Sequence, residues 1–389
     1  MAERVVVFLP GWIGDAVMAT PAIRAIRERF ANSRISWVAK PGVLNALQGS
    51  PWTDGTIASG TRSGISKIVE PFSLGRKIQK DLGGSPDLAV LLSNSMRTAL
   101  AAYFSGAKKR IGQALHGRRF LLSDAIEPKR DPSGKLRPYP IIEVYNEIAR
   151  AAGCGDPGLR MELFTTRNDE ADAAQVWSVA GFRPGLRVIG IHAGAAFGAA
   201  KLWPIERFAE VANKLAIGGN GVVILGGPAE AAQALDLVAR ANHPMVRALA
   251  EQGMPGLSLG LVKGVTRRLA LLLTTDSGPR HIACAFDRPV VTLYGPTHIA
   301  WTETWQKNAA HIAAPVPCGP CQQRVCAPGH HDCMRKIETP LVLDVISRML
   351  EGEIPAPSPA GVVGVRGCDP ARGDLIPLVA KPLTGRLSA

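Results

Sequence analysis

The chain has 389 residues, with 45 Lys and Arg against 32 Asp and Glu, a formal charge of +13 and a pI near 9.7. A hydrophobic content of 46% excludes a chain disordered throughout, and the length suffices for two domains with separate cores. No apolar run reaches the ~18 residues of a spanning helix, and Met1-Ala2-Glu3-Arg4 before a short apolar run to Pro10 lacks the form of a secretory signal. A cytoplasmic protein with an anionic partner is expected, the partner being nucleic acid, a membrane surface or a phosphorylated substrate.

In chain order, Arg4–Leu9 reads as a strand buried on both faces, because nothing in it alternates with polar residues. The loop Pro10-Gly11-Trp12-Ile13-Gly14-Asp15 follows, and Thr20-Pro21 predicts an N-cap and first-turn proline for a helix over Ala22–Phe30. Arg34–Val38 and Asp87–Leu92 read as further strands. The same grammar restarts after about residue 180. Arg187–His192 is a strand, Ile205–Ala216 a helix, Gly221–Leu225 a strand before Gly226-Gly227-Pro228, and Ala229–Ala241 an Ala-rich helix. Leu271–Thr275 runs into Asp276-Ser277-Gly278 and a helix carrying His281, and Pro289–Tyr294 closes at Gly295-Pro296. Strands alternating with helices give an α/β class with parallel sheets. Two Rossmann-like domains facing a cleft are expected, over 1–180 and 181–350. The segment 351–389 has a Pro- and Gly-rich composition that predicts a disordered tail.

The charge is concentrated. Ten basic residues lie between Arg97 and Arg137, among them Arg97, Arg118 and Arg119, opposed by Asp124, Glu127 and Asp131 for a local +7. A solvated basic face is the plainer reading. Nucleic-acid binding lacks support, since aromatics are only 5% of the chain and no recognition motif accompanies the stretch.

Chemistry is expected where loops leave strand ends. Asp15, after the first strand, is a candidate general base, or a carboxylate capping a helical turn. In the second half, Ser277 and Gly278 at a helix start suit a phosphate. Lys201 can add a point charge, and Glu230 can accept from ribose hydroxyls. Each has a plain structural alternative: Ser277 as an N-cap, Lys201 as a surface lysine, Glu230 as a first-turn acid. Cys318, Cys321, Cys326 and Cys333, with His330 and His331 among them, place four of seven cysteines in one short stretch. That spacing supplies thiolates for a structural zinc or an iron–sulfur knot, with reduced thiols or a redox-labile pair as alternatives.

The segments LPGWIGDAVMATPAIRAI, GAAFGAAKLWP, LGGPAE, TDSGPRHIACAFDRPVVTLYGPT and CGPCQQRVCAPGHHDCM together resemble the ADP-heptose:lipopolysaccharide heptosyltransferases of glycosyltransferase family 9, in particular the heptosyltransferase II branch. The likeness runs from about residue 4 to 350. It implies a GT-B fold, with acceptor bound by the N-terminal domain and nucleotide sugar by the C-terminal one. The implied reaction is an inverting transfer of L-glycero-D-manno-heptose from ADP-heptose to the lipopolysaccharide inner core. By resemblance, Gly14 and Asp15 carry the Gly-Asp motif with Asp15 as base, and Lys201, Glu230, Asp276, Ser277, Gly278 and His281 contact the nucleotide sugar. Arg97, Arg118 and Arg119 fall on the acceptor side. No cofactor is implied for transfer, and the cysteine cluster, absent from some members, is not part of the shared chemistry. The implied partners are ADP-heptose and a phosphorylated lipid A/core oligosaccharide, met at the inner face of the cytoplasmic membrane. Thr275 and Pro279 depart from the usual pattern without removing a ligand type. The alternatives are a related transferase with another acceptor or nucleotide sugar and, further off, a non-catalytic basic binding protein.

Overall fold

The computed structural model describes residues 2–60, 66–353 and 362–364. By internal contacts the chain divides into two compact units. The first takes Met1–Ala173 with Ser258–Val265 and Thr302–Thr304, and the second takes Ala174–Leu257, Thr266–Trp301 and Trp305–Ala389.

In the first unit, β1 (Arg4–Phe8), β2 (Arg34–Ala39), β3 (Gly55–Ala58), β4 (Leu88–Leu91), β5 (Lys109–Gln113) and β6 (Asp124–Ile126) form one parallel sheet in the order β3-β2-β1-β4-β5-β6. Val5, Val6, Val7 and Phe8 are fully buried, as expected for a central parallel strand covered on both faces. Val6, Phe8, Ala89 and Leu91 share a core with Leu74, Ile78, Ala99 and Ala102 from two crossover helices.

The second unit repeats the plan. β7 (Val188–His192), β8 (Gly221–Ile224), β9 (Val246–Ala248), β10 (Leu271–Thr275), β11 (Val290–Tyr294), β12 (Ala309–Ala313) and β13 (Val362–Gly364) lie in the order β13-β12-β11-β10-β7-β8-β9. All pairs are parallel except β12 with β13, which is antiparallel. Thus Val362–Gly364, inside the expected tail, adds an edge strand; the rest of that tail beyond Glu353 lies outside the described residues.

Both sheets have the dinucleotide-fold strand order, and each has a switch point where chain order reverses: β1/β4 in the first, β7/β10 in the second. Ligands of such sheets bind outside the carboxyl ends of the strands at that point. The loops after β1, β7 and β10 are therefore the places to look for chemistry.

Two local expectations change. The helix expected over Ala22–Phe30 begins at Thr20, with Ala19 as its N-cap. Thr20 Oγ donates back to the Val17 carbonyl (2.7 Å) and accepts from Glu162 N–H (3.1 Å), because a short helix, Ile13–Met18, precedes it and removes the need for a cap. The helix expected over Ala229–Ala241 splits into a 3-10 turn, Pro228–Glu230, and a helix, Ala231–Ala241.

Candidate active site

Asp15 stands in the first turn of the helix Ile13–Met18, which starts directly after the β1 loop. The N-cap position is Trp12, with no side-chain cap, so Asp15 is not the capping residue of the alternative reading. Its negative charge suits a helix start. The phenol of Tyr145, buried on the helix Ile141–Ala151, is pushed well above its usual pKa by burial and then by the Asp15 charge. Asp15 thus has a protonated phenol within electrostatic reach. Lys40 borders the same loop, its Nζ 6.0 Å from the Trp12 ring centroid.

In the second unit the β7 and β10 loops build one connected polar cluster. Lys201 is buried, contrary to the surface-lysine alternative, and donates to Asp276 Oδ2 (2.6 Å) and to the Asp276 carbonyl (2.8 Å). An ammonium has three protons, so one remains for a ligand. Thr297, just past the Gly295-Pro296 turn, donates to the same Oδ2 (2.8 Å). Burial pushes the Asp276 carboxyl up, but the charges of Lys201 and Arg280 and the bonds from Lys201 and Thr297 prevail and hold it at about 2. Asp276 is thereby an ionised brace beneath Lys201. The Phe197 ring centroid lies 4.8 Å from Lys201 Nζ, an apolar wall on the ammonium.

Ser277 is the N-cap residue of the helix Gly278–Ala285, but its hydroxyl makes no capping bond. It meets Thr274 Oγ (3.0 Å) and His192 Nδ1 (3.3 Å) instead. The Gly278 N–H is left at the helix start for an anion, since Pro279 has none and the Arg280 N–H donates to the Ser277 carbonyl (3.2 Å). His192, the last residue of β7, has Nε2 3.3 Å from Glu230 Oε1 and Nδ1 3.3 Å from Thr274 Oγ. Glu230 Oε2 accepts from Gly227 N–H (3.0 Å). The His192 bond, opposed by burial and aided by Gly227, holds the Glu230 carboxyl below its usual range. Gly194 is required there, because a Cβ at that position would collide with Glu230 Oε1. His281 is buried with Nδ1 lacking a hydrogen-bond partner. Burial, then the Arg280 charge, pushes it down to about 3, so the ring is uncharged at neutral pH.

Lys201, Glu230, Asp276, Ser277, Gly278 and His281 are therefore brought together at one switch point. Sequence reasoning gave no role to His192 or Thr297, which lie in its strand-end loops, and missed Thr274 and Tyr145. A histidine ending an otherwise apolar strand, VIGIH, was the available signal for the first.

The basic stretch is less free than its sequence charge. Arg118 is fully buried on a 3-10 turn, Arg118–Leu121, donating to the Gln113 and Ser93 carbonyls and to Asn94 Oδ1. It ties loops together and is not part of an exposed basic face. Arg97 pairs with Glu70 (3.2 Å), Arg119 with Glu127, Lys108 with Asp87 (2.9 Å) and Lys129 with Glu147 (3.1 Å). Arg97 and Arg119 remain exposed at the surface.

The Cys318–Cys333 segment holds four free thiols, and Cys333 is pushed up to about 11 by burial and by its neighbours Cys321, Cys318 and Cys326. Among the described residues no three His, Cys, Asp or Glu side chains are gathered closely enough to hold a metal ion, so the zinc or iron–sulfur site that the spacing suggests is not confirmed. Cys154 and Cys284 are buried packing residues, and Cys368 lies outside the described residues. No helix among the described residues is long and apolar enough to cross a membrane.

The chain is similar to known proteins over most of its length. Lipooligosaccharide heptosyltransferase 2 of Campylobacter jejuni is 27% identical over 357 residues, covering 89% of this chain and 99% of that protein. Lipopolysaccharide heptosyltransferase 2 of Salmonella typhimurium is 26% identical, covering 90% and 99%. The solved structure of E. coli ADP-heptose lps heptosyltransferase II superposes with a TM-score of 0.71 at 24% identity, over 90% of this chain and 99% of that one. The architecture is accordingly α/β of the GT-B type. Residues 75–331 match the profile of glycosyltransferase family 9 (heptosyltransferase), and the chain belongs to that family.

Proposed function

We propose that this glycosyltransferase moves L-glycero-D-manno-heptose from ADP-heptose to a sugar hydroxyl of the lipopolysaccharide inner core, with inversion, at the cytoplasmic face of the inner membrane. The observation that carries the reading is the buried Lys201–Asp276 pair beside the open helix start at Ser277 and Gly278, at the β7/β10 switch point of a family 9 member. A diphosphate is the ligand such a cation and helix edge fit best. Glu230, aligned by His192 and Gly227 N–H, has acceptor capacity left for ribose hydroxyls. In this reading the first unit receives the acceptor, with Gly14, Arg97 and Arg119 on its surface, and the second holds the donor.

The chemistry needs two things. An acceptor hydroxyl is a weak nucleophile at neutral pH, so Asp15 takes its proton as the new C–O bond forms at the anomeric carbon. The bond from that carbon to the phosphate oxygen breaks on the opposite face, through an oxocarbenium-like state, and its electron pair leaves with ADP. The growing negative charge is met by the remaining Lys201 proton and the helix start at Gly278, which are held in place before reaction. His281, uncharged, adds no charge to the donor pocket. No step is routed through the cysteine segment; elemental analysis of the purified protein tests it for zinc or iron.

The test is Asp15→Asn. It is expected to lower turnover by roughly 10²–10⁴-fold while leaving ADP-heptose affinity near wild type. Loss of donor binding with turnover intact would overturn the assignment of Asp15.

A further inference from the structure

Five aromatic residues of the described chain are exposed, and four of them, Phe72, Tyr103, Phe104 and Phe120, sit on the helices Ser66–Leu82 and Met96–Phe104 and the adjoining 3-10 turn. Phe72, Tyr103 and Phe104 are 46%, 53% and 41% exposed and touch in a row, with ring centroids 5.7 and 5.6 Å apart. The two helices can present this row because Gly75 leaves no room for a Cβ against the Phe104 backbone, which brings them together closely. Burying these rings inward was open to the fold only by displacing the Ala and Leu core beneath them; outward, they need a cover. A contiguous apolar row on a protein surface marks an interaction site.

Cations flank the row. The Arg76 guanidinium lies 4.4 Å from the Phe72 centroid, whereas that of Arg110, 5.6 Å from the Tyr103 centroid, is half-buried and donates to the Leu121 and Ala107 carbonyls. Lys77 and Lys80 are exposed on the same helix, and no ion pair to either is found among the described residues. The nearby carboxylates are engaged elsewhere: Glu70 with Arg97, Asp81 with Ser36 and Asp87 with Lys108. Half-exposed aromatics ringed by Arg and Lys are the composition that enters the headgroup region of an anionic bilayer. A second copy of this face is a poor cover, since a two-fold contact would set these cations against themselves. The rings also meet edge to face, at 84° and 73°, which gives no flat platform for stacked bases.

The geometry points to this row as the surface by which the first unit docks on an anionic membrane, with Phe72, Tyr103 and Phe104 inserted at the interface and Arg76, Lys77 and Lys80 on the headgroup phosphates. It rests on the proposed function only in naming why the enzyme is there: the acceptor is lipid-anchored. Binding therefore needs neither donor nor acceptor.

The experiment is co-sedimentation of the full chain with vesicles of phosphatidylcholine alone and of phosphatidylcholine with phosphatidylglycerol, across a salt series. The wild type is expected to sediment with the anionic vesicles only, and less as salt rises. Phe72→Ser/Phe104→Ser and, separately, Lys77→Glu/Lys80→Glu are each expected to lower the partition by about tenfold or more. Both should keep wild-type heptose transfer to a soluble truncated acceptor, which also shows that they fold. Absence of wild-type binding, equal binding to neutral vesicles, or unchanged binding by both variants would overturn the proposal. So would a change of oligomeric state in the variants with vesicle binding intact. Failure of heptose transfer by the wild type would instead strike the proposed function and leave the vesicle result standing.

Discussion

Replacing Lys201 by Met keeps the length of the side chain and removes its charge. The Lys201 and Asp276 side chains are 8% and 4% exposed and joined at 2.6 Å, so water cannot replace the lost partner. The Thr297 hydroxyl and the Arg280 charge are among the contacts that Asp276 then retains. Leaving one partner of a buried ion pair uncompensated costs about 3–5 kcal/mol. Arg280 and the option of protonating Asp276 put this case near the lower figure, about 3 kcal/mol, or roughly 6–12 °C in the unfolding temperature of a unit this size. The sign with pH follows. Asp276 has its pKa lowered from 3.8 to about 2, so its contribution is present above pH 3.8 and fades as pH falls toward 2. Without Lys201 the folded-state carboxyl titrates higher, which narrows that window and shrinks the contribution it spans. Two assays read the substitution. Urea or thermal unfolding gives the stability loss, and Lys201→Met/Asp276→Asn should recover a good part of it, a coupling of about 1 kcal/mol or more. Calorimetric titration should show ADP affinity falling by tenfold or more while adenosine affinity stays near wild type, a charge-assisted phosphate bond being worth about 1.5–3 kcal/mol. Unchanged stability in Lys201→Met, or equal losses for ADP and adenosine, would refute the placement of Lys201 beneath a diphosphate.

Further substitutions probe the rest of the site. His281, with its pKa lowered from 6.5 to about 3, contributes stability that is complete above pH 6.5 and lost as pH falls toward 3. His281→Gln should flatten the acid limb of the stability profile by up to about 1.4 kcal/mol per pH unit in that window, measured by urea unfolding at successive pH values. Gly194→Ala drives a methyl group into Glu230 and should raise the donor KM with a smaller effect on kcat, read by steady-state kinetics. Arg118→Ala leaves several loop carbonyls without their donor and should lower the unfolding temperature rather than act on acceptor KM alone, a contrast that thermal unfolding and kinetics resolve together.

The sheets were readable because parallel strands covered on both faces are unbroken apolar runs; Arg4–Phe8 and Leu271–Thr275 stand out on that ground alone. The strands Lys109–Gln113 and Asp124–Ile126 hid inside the basic stretch, the first opening on two charged residues before its buried end and the second being three half-buried residues at the sheet edge. Val246–Ala248 is too short to announce itself. Thr20 looked like a cap because Thr-Pro usually starts a helix; the preceding helical turn, which local spacing does not reveal, changed its partner. At the site, motifs after strand ends located Lys201, Asp276 and Ser277. What they do to one another depends on partners 75 and 85 residues apart in sequence, and only the fold brings Lys201 against Asp276 and His192 against Ser277. Arg118 shows the converse. Its charge counted toward a surface in the sequence, yet its guanidinium is spent on loop carbonyls in the interior.

The central claim is that Asp15 deprotonates an inner-core sugar hydroxyl while the Lys201 site carries away ADP. It is tested most directly by product mass analysis with ADP-heptose and a set of truncated lipopolysaccharide acceptors, run with the wild type and Asp15→Asn. The account predicts one heptose added to a single acceptor truncation by the wild type and almost none by the variant, with ADP-heptose binding equal in both. Transfer by Asp15→Asn at the wild-type rate, or wild-type transfer only from a different nucleotide sugar, would contradict it.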